Sequence, residues 1–175
     1  MSQLQLTKTL ISSQMIQDRI NDLGKTITQD YQDKESLVCI SILKGSFVFA
    51  ADLVRKINHP NLTMEFMAVS SYGNSTESSG TVQILLDLKK DIAGKHVLIM
   101  EDLIDSGLTM QYLINLLQQR APASIRVCCL LRKYNPDVKV QLDYCGFRVS
   151  KDDFVVGYGM DYAEKYRNLD YVAVL

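Results

Sequence analysis

Apolar positions along the chain follow two periods. Ile16, Ile20, Leu23, Ile27 and Tyr31 recur at spacings of three and four, which predicts a helix with one apolar face. Ser12 or Ser13 can cap its start, and its end falls near Asp30. Residues 37–43, Leu-Val-Cys-Ile-Ser-Ile-Leu, are a short apolar run that reads as a strand, and Lys44-Gly45 turns the chain into a helix-like stretch over 46–58. A second strand is predicted over 62–70. Residues 71–80 hold almost nothing apolar to bury and predict a mobile loop. Strand character returns over 81–86, residues 91–94 read as a turn, and 96–101 is predicted to be the most buried strand. A polar turn over 102–106 leads to a helix over 107–120, with Leu113, Ile114 and Leu117 on its apolar side and Pro122 as its stop. Residues 124–131 and 138–147 supply further strands, and 154–157 with 171–175 suggest a short closing pair.

Alternating β and α elements predict an α/β fold, a mainly parallel twisted sheet flanked by helices, which binds ligands beyond the carboxyl ends of its strands. Length supports this reading: 175 residues at 47% hydrophobic composition suffice for one core, and no repeat or linker interrupts them. A single domain over 1–175 is expected. The 19 Lys and Arg nearly balance the 20 Asp and Glu, so no overall field favours nucleic acid or an anionic membrane, and an anionic ligand must be held locally. The first ten residues lack a basic start followed by an apolar run, and no stretch is apolar for long enough to span a bilayer; a soluble, cytoplasmic protein is expected. Cys39, Cys128, Cys129 and Cys145 lack CxxC spacing, and the first three fall within predicted strands, where buried thiols are the expectation. His59, next to Pro60, and His96 read as structural.

Chemistry concentrates over 97–109, Val-Leu-Ile-Met-Glu-Asp-Leu-Ile-Asp-Ser-Gly-Leu-Thr. An apolar strand passes through three acids into a Ser-Gly-x-Thr turn at a helix start. Main-chain N–H groups from Asp105 through Leu108 to Thr109, with the Ser106 and Thr109 hydroxyls, can cradle a phosphate, since a helix N-terminus leaves donors unpaired and carries partial positive charge. Gly107 permits close backbone approach. Glu101 and Asp102 can hold ribose hydroxyls directly or through a hard cation such as Mg²⁺.

This stretch closely resembles the phosphoribosyl-pyrophosphate motif of the type I phosphoribosyltransferases, in the form of their hypoxanthine-guanine branch. The resemblance continues, in the family's order, through residues 43–46 (Leu-Lys-Gly-Ser), 71–73 (Ser-Tyr-Gly), Lys133 and 154–167, and so covers nearly the whole chain from Leu37. It implies the type I fold, with a core over about 36–135 and a small hood built from the chain ends, about 1–15 and 136–175. It further implies transfer of phosphoribose from phosphoribosyl pyrophosphate to hypoxanthine or guanine with Mg²⁺, by a homodimer or homotetramer. At matching positions Asp105 would act as base toward purine N7. Lys44 and Gly45 would meet the pyrophosphate after a non-proline cis peptide at Leu43-Lys44, and Arg167 would contact it too. Glu101, Asp102 and Asp161 would face metal. Lys133 would donate to the purine 6-oxo group, Phe154 would stack on the ring, and the Val155 backbone would meet its N1 edge. Ser71 and Tyr72 would sit on a lid that excludes water. Arg132 beside Lys133 is the next candidate for the 6-oxo donor, and the Tyr-Asn-Pro that follows departs from the bacterial pattern.

Other nucleotide folds fit less well. There is no GxGxxG, residues 44–46 lack the order of a P-loop, and no GxSxG elbow accompanies the two histidines. A regulator of the same fold that binds nucleic acid would call for a basic stripe, which this chain lacks. An enzyme of the same fold acting on xanthine remains open, because the 2-position would be read by backbone carbonyls.

Overall fold

The structure, a computed structural model, describes residues 6–71, 82–135 and 140–175. Lys8–Ile11 forms β1, and Ser12 then caps α1 (Ser13–Tyr31), its Oγ accepting the Met15 N–H at 3.3 Å. The predicted stripe Ile16, Ile20, Leu23, Ile27 and Tyr31 is buried. The chain continues through β2 (Leu37–Leu43), α2 (Phe47–Val54), β3 (Leu62–Ser71), β4 (Val82–Leu86), β5 (His96–Ile104), α3 (Leu108–Gln118), β6 (Ser124–Lys133), β7 (Tyr144–Val149), β8 (Val155–Val156) and β9 (Val172–Val174).

Six strands make the main sheet in the order β4-β3-β2-β5-β6-β7; every neighbouring pair is parallel except β3 with β4. The exception lies at an edge. β5 is central and buried on both faces: Leu98 and Met100 join the cluster beneath α1 and α2, while Val97 and Ile99 join the cluster beneath α3. A second, antiparallel sheet of order β1-β9-β8 confirms the closing pair and adds the N-terminal strand to it.

Several boundaries differ from expectation. The sequence reading has no strand at Lys8–Ile11, because four residues carry too little alternation to be seen. α2 ends at Val54, short of residue 58, where Lys56 N donates to Leu53 O and the chain tightens into a turn. β5 runs three residues beyond 101, because Leu103 and Ile104 still pair with Leu131 and Arg132. Pairing of the last main-sheet strand starts at Tyr144, although 138 was the expected start. Just before it, Asp143 bonds both main-chain groups of Val127, its N–H to Val127 O and its Oδ2 to Val127 N. β7 belongs to the main sheet, which therefore extends to residue 149. Tyr72 and the Ser71 side chain, assigned to a lid, lie outside the described residues, as does most of the 71–80 loop. His59 and His96 are structural as read: His59 Nε2 bonds Lys34 O, and His96 Nδ1 bonds Ser124 Oγ at 2.7 Å. Among the described residues no helix is long and apolar enough to cross a membrane.

Candidate active site

The carboxyl end of β5 gathers the site. Glu101 and Asp102 fall inside the strand, so their side chains are held by the ladder and leave in different directions. Glu101 is opposite Cys129, and burial, reinforced by the charge of Asp102, holds its carboxyl well above the usual carboxylate range. Asp102 is anchored by the Leu103 N–H, which donates to its Oδ1 at 2.8 Å. Its other oxygen reaches the β2–α2 turn, where a Cβ on Gly45 would lie 1.7 Å from Oδ2. Gly45 is therefore dictated by the acid that crosses over it. The preceding Leu43-Lys44 peptide is cis, as the resemblance implies.

A third segment closes onto the same point. Gly159, at φ +99°, lies against the turn so closely that a Cβ there would be 2.2 Å from the Gly45 carbonyl oxygen. The residues after it fold into a charged knot. Arg167 Nη1 donates to Gly159 O at 2.9 Å, and its Nη2 pairs with Asp161 at 2.8 Å and more loosely with Glu164. Glu164 also meets Lys44 Nζ at 3.2 Å and so bridges Lys44 to Arg167. Nothing in the sequence singled out Glu164. Arg167 Nε is buried and has no hydrogen-bond partner among the described residues.

Beyond β5, Asp105 and Ser106 bend the chain, and Gly107 turns it at φ +76° into α3. The first turn of α3 carries no acidic residue, so its amino end faces outward uncompensated. Glu101, Asp105, Ser106, Gly107, Thr109 and Met110 line a hollow of about 140 Å³ there. At the end of β6, Lys133 Nζ lies 3.2 Å from Asp105 Oδ2; the lysine side chain is 14% exposed and the aspartate 58%. Phe154 is half exposed, with the Tyr162 ring edge-on at 5.6 Å. The main chain beside it is open. Leu175 N donates to Phe154 O at 3.0 Å, which places the next pair, Val155 with Val174, in the slot without mutual hydrogen bonds. The Val155 N–H and C=O thus point away from β9, out of the free edge of the three-stranded sheet.

The structure brings together Lys44, Gly45, Asp102, Gly159, Asp161 and Arg167 on one side and Asp105 to Thr109 with Lys133 on the other. It does not cluster all three suggested metal-facing acids, because Asp161 is occupied by Arg167; among the described residues no group of three or more His, Cys, Asp and Glu could hold a metal.

The phosphoribosyl transferase domain model matches residues 8–163. The chain belongs to the phosphoribosyltransferase family. Within that family it is 47% identical to the hypoxanthine-guanine phosphoribosyltransferase of Dictyostelium discoideum over 171 residues, 96% of this chain and 94% of the relative. Its identity to the Bacillus subtilis hypoxanthine-guanine phosphoribosyltransferase is 48%, covering 97% of this chain and 93% of the relative. Among solved structures, the Staphylococcus aureus hypoxanthine phosphoribosyltransferase superposes with a TM-score of 0.92 at 44% identity, covering 97% and 91% of the two chains. In this phosphoribosyltransferase, the phosphate-sized hollow and the Lys133–Asp105 pair thus lie at the carboxyl end of the sheet, where open α/β sheets bind ligands.

Proposed function

We propose that the chain transfers the 5-phosphoribosyl group of phosphoribosyl pyrophosphate to N9 of hypoxanthine and of guanine, releasing pyrophosphate. The observation that carries this reading is the Lys133–Asp105 pair at the mouth of the phosphate turn. A 6-oxopurine offers an acceptor, O6, beside a proton-bearing N7 on one edge, and a donor and a base 3.2 Å apart match that edge. The purine would separate the pair: Lys133 donates to O6 while Asp105 takes the N7 proton as N9 attacks C1 of the ribose. Phe154 covers the ring, and the outward Val155 main chain meets the N1 side.

The 5-phosphate is held by the Asp105–Thr109 turn and the amino end of α3. Lys44, Gly45 and Arg167 hold the pyrophosphate, with Glu164 keeping Lys44 and Arg167 in place. Glu101 and Asp102 fit Mg²⁺, since they offer only oxygen donors and, among the described residues, form no ion pair with Lys or Arg. Asp161 would approach a second ion on the pyrophosphate. Held by these carboxylates, Mg²⁺ would supply positive charge to offset that of the departing pyrophosphate. We place the enzyme in the cytoplasm, supported by four cysteines that are all free, and as a homodimer or homotetramer, which sedimentation measures directly.

Initial rates with phosphoribosyl pyrophosphate, Mg²⁺ and each of hypoxanthine, guanine, xanthine and adenine test the reading. IMP and GMP should form without nucleic acid, and adenine should not react. Absence of nucleotide from either 6-oxopurine would overturn it.

A further inference from the structure

Beyond the transferase site, the outer edge of the main sheet carries chemistry that purine transfer does not use. Cys129 on β6 and Cys145 on β7 are direct partners in the parallel register, so both side chains leave the sheet on one face, and both thiols are free. Neighbouring strands run about 4.8 Å apart, inside the range of Cα separations that a disulfide spans. The two thiols interact with one another, and the Cys145 S–H also reaches Phe147 O at 3.5 Å. Their surroundings differ: Cys129 is fully buried, whereas Cys145 is half-buried and opens onto a cavity of about 350 Å³ lined also by Arg19, Arg132 and Arg148.

Those cations are fixed or uncompensated. Arg19 is clamped beside the thiol, Nη2 donating to Cys145 O at 2.6 Å and Nε to Gly146 O at 3.0 Å. Arg132 and Arg148 are cross-strand partners, and among the described residues neither has an ion-pair partner. Asp143, the one acid on the cavity wall, is engaged with Val127 N. The other titratable neighbours are Cys128 and Tyr144 on the same strands and Glu101 behind Cys129. Contact with Cys129, aided by Arg132, Arg148 and Arg19 and opposed by burial, lowers the Cys145 thiol below the ordinary cysteine value, while the same contact and burial raise Cys129. Burial pushes Cys39 up to about 12 and raises Cys128 further.

We propose that Cys145 is a peroxide-reactive thiol and that Cys129 is the thiol that resolves it, closing a disulfide between β6 and β7. The Cys145 thiolate attacks one oxygen of hydrogen peroxide or a small hydroperoxide. The O–O bond breaks, hydroxide or alkoxide leaves toward the arginines and is protonated by water, and the sulfur, having lost two electrons, becomes a sulfenic acid. Cys129 sulfur then displaces the hydroxyl group, and its proton departs with that group as water. Neither step depends on the transferase reading.

Reduced protein is treated with a few equivalents of hydrogen peroxide, its remaining thiols are alkylated, and unreduced peptides are mapped by mass. The Cys129 and Cys145 peptides should appear linked, two hydrogens lighter, while Cys39 and Cys128 stay reduced. In Cys129→Ser, Cys145 should stop at a sulfenic acid that dimedone traps; in Cys145→Ser, no link should form. Alkylation of folded wild type at pH 7 should be at least about 100-fold faster at Cys145 than at Cys39. Its pH midpoint should lie below that of an ordinary cysteine and rise in Arg148→Ala. Cys145 reacting no faster than Cys39, or over-oxidising while Cys129 remains a free thiol, would overturn the proposal.

Discussion

Asp105 and Lys133 are close enough to neutralise one another, and that closeness separates their proposed roles experimentally. Asp105→Asn keeps the shape and removes the base; turnover should fall roughly 10²-fold or more while affinity for phosphoribosyl pyrophosphate hardly changes. Near-native turnover in the purified variant would sink the assignment. Lys133→Met removes the 6-oxo donor. A charged hydrogen bond in a closed site is worth about 1.5–3 kcal/mol, so kcat/KM for hypoxanthine should fall roughly 10- to 150-fold. If the variant instead loses affinity for phosphoribosyl pyrophosphate and keeps its purine KM, Arg132 becomes the candidate. Both residues were legible in the sequence, one from its place between strand and helix, the other from the family pattern. Glu164 was not, since an exposed acid between Ala163 and Lys165 carries no signal until folding sets it between Lys44 and Arg167.

Two glycine turns decide how the elements meet. The 157–160 turn after β8 lies so close to the 43–46 turn after β2 that Gly159 has no room for a methyl group, and at Gly45 the Asp102 carboxylate leaves none. Gly94, by contrast, has a left-handed φ of +68° but open space around it. Gly159→Ala should therefore lower stability by about 1–3 kcal/mol, a Tm drop of roughly 3–10 °C, and also raise the KM for phosphoribosyl pyrophosphate. Gly94→Ala should lower Tm alone. An unchanged KM in Gly159→Ala would show that the turn moves aside without disturbing the Asp102 crossing. Periodicity found the long elements because burying one face of α1 or both faces of β5 demands an extended pattern. It missed β1 and misplaced β7, whose pairing begins where Asp143 clasps Val127, a side-chain contact that no local pattern records.

At the scale of the whole molecule, the hood shares a buried apolar cluster with the helical layer, and one carboxylate adds a polar tie between them. Asp52 on α2 accepts from Tyr158 in the glycine turn, from Gln17 on α1 at 3.2 Å, and from Arg55. Partial burial opposes its charge, but the bonds from Tyr158, Gln17 and Arg55 outweigh that and hold its carboxyl below the ordinary 3.8. A carboxyl depressed in the folded state contributes stability that is fully present above the unfolded value, near 3.8, and is lost as pH falls through the lower folded value. Asp52→Asn keeps the shape and cannot ionise. At pH 7 its Tm should lie below that of the wild type, and as pH drops below about 4 the two should converge, because the native carboxyl then takes up the proton that the amide variant never needs. Melting both proteins from pH 7 down to pH 2.5 in the same ionic strength decides the point. A Tm gap that stays constant across that range would show that the three elements are held by the shape of the contact and not by the charge on Asp52.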